Sequence, residues 1–279
     1  KFEKYLTDAF SEKAVEFINE SSQPFMMYLA YNAVHTPMQA TDEDMAKFEG
    51  HPRQKLAAMT YALDRGVGTV IRGLKDSGKF DNTLIFFLSD NGGATTNQSS
   101  NYPLKGFKGN KFEGGHRVPY FVVWKNGIPA GKPYDGLVSS LDIFATAIDA
   151  ASISKTRNRL DGVSLLPYLK GKKGEPHKVL YWRKMDTRAI RSGDYKLIIT
   201  HGVDSVLYNI RRDPEEMNNL INKEPDLYRK LAKKLAKWEK NECIEPSWLE
   251  EGWRKITNRY HQQLMHNEIK TAQDLYKKK

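Results

Sequence analysis

Thr83-Leu84-Ile85-Phe86-Phe87-Leu88-Ser89-Asp90-Asn91-Gly92-Gly93 reads as an apolar strand running into a polar, glycine-rich turn. A short unbroken apolar run bounded by turn residues is the pattern of a strand covered on both faces. Such strands belong to parallel sheets, whose ligands sit beyond the carboxyl ends of the strands. Asp90 and Asn91 thus bring a carboxylate and an amide oxygen to the ligand-binding edge. A basic loop follows, Lys105-Gly106-Phe107-Lys108, and then Glu113-Gly114-Gly115-His116-Arg117-Val118-Pro119 leads into a second apolar strand at residues 120–124.

Upstream, Met59, Leu63, Val67, Val70, Ile71 and Leu74 recur at helical spacing, which predicts an amphipathic helix over residues 54–76 that Gly78 ends. Before it, Pro24 introduces an apolar segment predicted as a strand over 25–30, and His35-Thr36-Pro37 forms the loop after it. The first helix is expected to be capped by Thr7 and to show Phe10, Ala14, Phe17 and Ile18 on one face. Strands alternating with helices predict an α/β fold with a mostly parallel central sheet flanked by helices. His35 and Asp90 both follow predicted strands, so two separate segments point to one sheet edge.

Downstream, Ser139 and Asp142 stand at capping-box spacing before a helix at 141–151. A polar stretch over 152–159 reads as a linker, and beyond it the pattern changes. Four short strands are expected at 179–183, 187–191, 195–200 and 205–210, with Gly193-Asp194 as a two-residue hairpin turn. A helix over 226–240 carries Leu227, Leu231, Leu235 and Trp238 on one face. The organisation expected is therefore an α/β portion over 1–160, a small antiparallel α+β subdomain over 161–240, and a basic helical tail over 241–279 that carries Trp248 and Trp253.

At 279 residues the chain is long enough to bury a substantial core. No apolar run reaches the length of a membrane span. Lys and Arg number 44 against 34 for Asp and Glu, a net charge of +10 that favours polyanions or simply marks a basic solvated surface. The single cysteine, Cys243, excludes an internal disulfide framework and a cysteine-rich zinc site. The chain begins at Lys1 without an initiator Met or a signal peptide, which reads as processing or truncation.

Asp-Asn-Gly is ordinary turn chemistry, and it is also a source of two hard oxygen ligands for calcium or magnesium, a shell that needs further oxygens from elsewhere. Lys108, between Gly106 and Gly109, is either a solvated charge or a grip on a sulfate or phosphate oxygen. Lys105 is a weaker candidate of the same kind. His35 is either a surface residue or a group able to bind an ester oxygen and protonate a leaving alcohol. Gly114-Gly115 reads as a tight turn, Glu113 and Arg117 as a structural ion pair, and His116 as a polar group placed to meet substrate.

These motifs together resemble the formylglycine-dependent sulfatase family of the alkaline phosphatase superfamily. The matching residues are Tyr5-Leu6-Thr7-Asp8, Tyr31-Asn32-Ala33-Val34-His35-Thr36-Pro37, Leu63-Asp64-Arg65-Gly66-Val67-Gly68, Ser89 to Gly93, Pro103 to Lys108 and Glu113 to Pro119. Tyr195-Lys196-Leu197, Leu207-Tyr208-Asn209 and Asp213-Pro214-Glu215-Glu216 resemble the family's C-terminal subdomain. The resemblance implies that Asp90 and Asn91 are ligands of an active-site Ca2+, with Mg2+ as the alternative ion. It implies that His35 and Lys108 contact the sulfate ester, and that Lys105 and His116 lie beside substrate.

The chain departs from the family in two respects: the N-terminal pair of acidic calcium ligands that the resemblance implies is missing, and so is the nucleophile motif. The Cys or Ser followed by x-Pro-x-Arg, from which formylglycine is made, is absent, and Cys243-Ile244-Glu245-Pro246-Ser247 does not supply it. The expectation is the C-terminal portion of a sulfatase, inactive alone, whose nucleophile and remaining ligands lie in an N-terminal part of the same protein. Substrates would be a sulfated carbohydrate or an aryl sulfate. Nucleic acid is not an expected partner, and the compartment would be periplasmic, extracellular or a lysosome-like lumen. The rival readings are a phosphoesterase or phosphonate hydrolase of the same superfamily, and a non-catalytic polyanion-binding chain.

Overall fold

A computed structural model describes residues 4–153, 159–243 and 250–277. The fold is α/β. The chain divides into two compact units, one made of Lys1–Ile85, Thr96–Ser99 and Val122–Ala130, the other of Phe86–Thr95, Ser100–Phe121 and Gly131–Lys279.

In the first unit the helix α1 (Leu6–Glu20) packs on the long helix α3 (Gln54–Asp76), with the short α2 (Asp42–Ala46) beside them. The approach of α1 and α3 depends on small residues. A Cβ on Gly66 would stand 2.6 Å from Ser11 Oγ, and one on Gly73 would stand 2.8 Å from Val15 Cγ2. The buried face of α3 is accordingly Ala58, Met59, Ala62, Gly66, Gly73 and Leu74, narrower and smaller than the predicted apolar stripe. Arg65 forks between Asp8 (2.9 Å) and the buried Asp44 (2.6 Å), tying all three helices together. Hydrogen bonding to Arg65 holds the Asp44 carboxyl below the usual range.

Two expectations fail here. Thr7 does not cap α1; the N-cap is Tyr5, and Thr7 is buried inside the first turn. Residues 25–30 form no strand. They alternate half-buried and exposed positions, with Met26 68% and Tyr28 89% exposed, and no backbone ladder pairs with them among the described residues. The period-2 pattern is present, but a strand is stabilised by its neighbour's hydrogen bonds, not by its own composition.

The strand β1 (Ile85–Leu88) pairs with β2 (Tyr120–Val123), and the ring pairs Phe86–Tyr120 and Phe87–Phe121 each lie 6.2 Å apart. Between them the loop holds one helical turn, α4 (Glu113–His116), where the two glycines read as a tight turn. After β2 comes α5 (Asp142–Ala150), whose buried Asp142 accepts from Ser139 N at 2.7 Å and Val163 N at 2.9 Å and meets His177 Nε2 at 2.7 Å. The single turn α6 (Leu166–Leu169) follows. Most of the linker predicted over 152–159 lies outside the described residues.

The second unit then builds a four-stranded antiparallel meander of β3 (Val179–Lys184), β4 (Thr187–Ser192), β5 (Tyr195–Thr200) and β6 (Asp204–Asn209). Ser192 pairs with Tyr195 across the predicted turn, where Gly193 takes a φ of +57°. Side-chain alternation gives the sheet two buried faces. Ile190, Leu197 and Leu207 pack against Leu231 and Leu235 of α7 (Pro225–Glu242), with Tyr181 stacked on Trp238 at 4.9 Å. Ala189, Ile198, Val206 and Tyr208 pack against Phe107 and Phe112 of the loop between β1 and β2.

The helices α8 (Glu251–Met265) and α9 (Asp274–Lys277) complete the unit. Leu264, Met265, Ile269 and Ala272 join Phe107 and Phe112 in that second core, so this segment is packed structure, whereas its composition suggested a basic tail. The six residues 244–249, including Trp248, lie outside the described residues.

Candidate active site

The chain leaves β1 at Leu88, and Ser89 N donates to Pro119 O just before the start of β2. Asn91 folds back on Asp90: its backbone N donates to Asp90 Oδ1 at 2.9 Å and its Nδ2 to the same oxygen at 3.0 Å. Asp90 is exposed. Asp90 Oδ2 and Asn91 Oδ1 have no hydrogen-bond partner among the described residues, so two hard oxygens stand uncommitted on adjacent residues.

The next residues are locked from below. Gly92 N donates to Gly115 O at 3.1 Å, and any Cβ on Gly92 would overlap the Gly114 carbonyl oxygen. Asn101 bridges the loops by accepting from Gly93 N at 2.7 Å and donating to Gly93 O at 3.2 Å and Gly106 O at 3.1 Å. Gly93 O also accepts from Lys108 N at 3.0 Å. The backbone of Lys108 is thus fastened to Gly93, three positions beyond Asp90, and Gly106 and Gly109 on either side of it have φ of +94° and +95°.

Lys105 has a different setting from the expected substrate contact. It is fully buried, its ammonium donates to Glu216 O at 2.8 Å and to Asn267 Oδ1, and it lies over the rings of Phe112 (5.1 Å) and Tyr208 (5.6 Å). Burial lowers its pKa to about 8. Gly106 N donates to Lys270 O at 2.7 Å, so the segment after α8 holds this loop at two successive residues.

Glu113 starts α4, and its N–H is taken by Glu216 Oε2 at 2.6 Å. Lys196 of β5, also fully buried, lies 2.8 Å from Glu113 and 2.9 Å from Glu216. Burial opposes ionisation of Glu113, but Lys196 and then His116 outweigh it and hold its carboxyl well below the usual range. Burial pushes Glu216 the other way, up to about 7, against the pull of Lys196 and with the push of Glu113. The expected Glu113–Arg117 pair exists at 3.7 Å, as the outermost and longest link of this network.

His116 meets Glu113 Oε1 at 3.6 Å and lies against the Trp182 ring at 4.5 Å, with its Nδ1 buried and unpartnered. Burial, then Lys196, lowers its pKa to about 4, so it is neutral at pH 7. His35 belongs to the first unit. It is exposed, its Nδ1 lies 2.6 Å from Thr36 O, and Asn97 supports the same loop by donating to Val34 O at 3.1 Å. A carbonyl only accepts, so Nδ1 carries the proton.

The second unit therefore brings Asp90, Asn91, Lys108, Lys105 and His116 into one set of interlocked loops, while His35 stands in the first. Sequence reasoning missed Lys196, Glu216, Asn101 and Asn267, which do the fastening. The available signal was Lys196, a charge at an inward position of a strand whose next same-face residue, Ile198, is core. For a metal, the donor chemistry suits an oxygen-seeking cation, but Asp90 and Asn91 give two ligands only. Among the described residues no group of three or more His, Cys, Asp or Glu is placed to hold an ion.

The family model described as Sulfatase matches residues 1–153. The chain belongs to the sulfatase family. A second model, N-sulphoglucosamine sulphohydrolase, C-terminal, matches residues 108–241 of this sulfatase chain. It is 40% identical over 188 residues to the uncharacterized sulfatase YdeN of Escherichia coli (strain K12), covering 64% of this chain and 33% of that protein. It is 32% identical over 202 residues to N-acetylgalactosamine-6-sulfatase of Canis lupus familiaris, covering 70% of this chain and 38% of that protein. The crystal structure of Ps i-CgsB in complex with k-i-k-neocarrahexaose superposes with a TM-score of 0.83 at 36% identity, covering 95% of this chain and 62% of that one. The sulfatase chain thus spans between 33% and 38% of the length of these curated relatives. No helix among the described residues is long and apolar enough to cross a membrane.

Proposed function

We propose that the protein to which this chain belongs hydrolyses sulfate esters of a carbohydrate. The observation that carries the reading is the fastened loop set itself. A sulfatase-family chain presents two uncommitted oxygens on Asp90 and Asn91 and a glycine-flanked lysine, Lys108, tied to the same turn through Gly93. Similarity to a structure described with a bound neocarrahexaose, and to N-acetylgalactosamine-6-sulfatases, supports a carbohydrate substrate. Nothing favours the phosphoesterase or the purely polyanion-binding reading over it.

In this reading Asp90 and Asn91 supply two of the ligands of a Ca2+ ion, which when bound neutralises sulfate charge. The other ligands and a formylglycine nucleophile belong outside these 279 residues. Lys108 grips a sulfate oxygen and stabilises charge as the ester bond breaks. The assignment of His35 to the leaving oxygen rests on its motif, Tyr31 to Pro37, alone. His116, neutral and packed on Trp182, meets the part of the substrate remote from the ester. Lys105 we assign to holding the loop in place of a substrate contact. Residues 1–160 form the C-terminal part of the catalytic portion, 161–240 a subdomain and 241–279 the segment that closes the loop from behind. The protein acts in the periplasm, outside the cell or in an equivalent lumen.

The test is turnover of a nitrophenyl sulfate by the complete protein, alongside the 279-residue chain. The complete protein should turn over, the chain alone should not, and Lys108→Ala should cost roughly 100-fold or more. Faster hydrolysis of the matching phosphate ester would replace this reading with the phosphoesterase one.

A further inference from the structure

Glu216 is unfavourable in two ways that the ion pairing around Lys196 does not explain. Its backbone is left-handed, with φ of +56°, a conformation that residues with a Cβ rarely adopt. Its carboxyl is fully buried and pushed up to about 7 by that burial, against the pull of Lys196. One carboxylate is enough to balance Lys196, and Glu113 provides it by accepting from Lys196 Nζ at 2.8 Å. Glu216 Oε1 lies 2.9 Å from the same ammonium, yet among the described residues it accepts no hydrogen bond. As a counter-charge the second carboxylate is surplus, so its role lies in its other contacts.

Those contacts form a closed circuit. Glu216 Oε2 accepts from Glu113 N at 2.6 Å, a donor in the first turn of α4 with no acceptor inside its own helix. Glu216 O accepts from Lys105 Nζ at 2.8 Å, and Lys105 O accepts from Gly114 N at 2.7 Å. One residue after β6 therefore holds α4 by its side chain and the Lys105 loop by its carbonyl, while α4 and that loop bond to each other. The contact has no slack. A Cβ on Gly114 would stand 2.6 Å from Gly106 O, and one on Gly115 would stand 2.4 Å from Asn110 O.

The ester-site groups hang from this circuit. Gly115 O in α4 accepts from Gly92 N, the amide that follows Asp90-Asn91. The Lys105 loop runs on to Lys108, whose N donates to Gly93 O. We propose that Glu216 is a positioning residue for this site: by holding Glu113 N it sets α4 against Gly92, and with it the spacing between the Asp90 and Asn91 oxygens and Lys108. This role rests on the sulfatase reading of those three residues, whereas the placing of Gly92 can be read without it.

The experiment compares Glu216→Gly, Glu216→Asp and Glu216→Gln. Glycine removes the carboxyl, suits the left-handed backbone and keeps the carbonyl for Lys105. Aspartate keeps the charge on a shorter reach, and glutamine keeps the reach and an acceptor for Glu113 N without the charge. In the complete protein, Glu216→Gly and Glu216→Asp should lower kcat for nitrophenyl sulfate about 100-fold with KM changed less than about threefold, the signature of misplaced reacting groups. Glu216→Gln should stay within about threefold of the wild type in both constants. In the 279-residue chain, the Gly92 and Gly93 amide resonances should move in Glu216→Gly and Glu216→Asp and keep their places in Glu216→Gln. Turnover that falls in step with the unfolding midpoint across the three variants would make Glu216 a stability residue alone and overturn the proposal. Unmoved Gly92 and Gly93 amides in Glu216→Asp would overturn it as well. If Glu216→Gly does not fold, Glu216→Asp against Glu216→Gln carries the same test. A complete wild-type protein that leaves nitrophenyl sulfate intact removes the sulfatase reading, and the amide shifts still decide whether Glu216 sets the turn.

Discussion

Two groups of lysines within the second unit answer opposite electrostatic problems. Lys196 is fully buried and has a carboxylate on either side, Glu113 at 2.8 Å and Glu216 at 2.9 Å. Lys184 is exposed on β3, Lys108 and Lys111 stand half-buried on the loop it meets, and like charge pushes Lys184 (from Lys108) and Lys111 (from Lys184 and Lys196). The first group joins α4, β5 and the loop after β6, which are far apart in sequence, and so acts as a fastening. In the second, Lys184 presents its charge to solvent. Nothing in the residue type separates them; Lys105 and Lys108 are three positions apart in one motif and fall on opposite sides of the divide. What separates Lys105 from Lys108 is burial: Lys105 is fully enclosed, with Glu216 O and Asn267 Oδ1 as acceptors, whereas Lys108 is only half-buried.

The sharpest way to break this contrast is Lys196→Ala. Removing the ammonium leaves Glu113 and Glu216 buried together without compensation, and a broken buried ion pair typically costs about 3–5 kcal/mol. Denaturant unfolding of the 279-residue chain should show that loss. A cost below about 1 kcal/mol, the range of a surface pair, would mean that the network is far more hydrated than its geometry implies.

Lys108→Ala tests the other side. Its stability effect should stay within about 0.5 kcal/mol, as for surface substitutions, while turnover in the complete protein falls by the equivalent of about 3 kcal/mol. A variant that instead unfolds and loses activity in parallel would place Lys108 with the fastening group.

Gly92→Ala asks whether the two groups are mechanically joined. The added methyl would overlap the Gly114 carbonyl oxygen, so either the turn after β1 or α4 must shift. A loss of about 1–3 kcal/mol is expected, as for overpacking a filled site. If the stability of Gly92→Ala equals that of the wild type, the close approach of these backbones is not part of the folded state.

The same contrast explains what could be read from the chain beforehand. The helix Gln54–Asp76, the four strands from Val179 to Asn209 and the turn at Gly193 were legible because periodicity and turn chemistry are local. The close approach of the Lys108 loop to the turn after Asp90 and Asn91 was legible because glycines mark where backbones approach closely. Residues 25–30 have the pattern of a strand without the neighbour that would make it one. Gly114-Gly115 became a helical turn because Glu216, 103 residues away, takes the N–H of Glu113. The return of Asn267 and Lys270 to the Lys105 loop left no local trace at all. Fastening residues act through distant partners, and a single sequence shows only one half of each pair.

The smallest effect, and the one that reads both lysine groups at once, is the acid response of two histidines. Burial lowers His116 and His261 each to about 4; Lys196 and Lys111 add to the push on His116, and Lys111 and Lys184 add to it on His261. A base with a depressed folded-state pKa contributes stability that is present above its unfolded value of about 6.5 and lost as pH falls through its folded value. Between pH 6.5 and about 4 the unfolded chain therefore takes up protons that the native chain refuses, and stability should fall. Glu216 opposes this over part of the window, because its raised value of about 7 makes its own contribution greatest below about 4.5 and smaller as pH rises. The two signs are separated by replacing one histidine. His261 is fully buried, with Nδ1 2.8 Å from Thr257 O, and His261→Gln should flatten the fall by up to one proton, about 1.4 kcal/mol per pH unit at most. Lys184→Ala should move the His261 transition upward by a smaller amount, since burial is the larger cause and remains. An unchanged pH profile in His261→Gln would show that this histidine is hydrated in solution, and the unpaired lysine charge would then have no listener inside the fold.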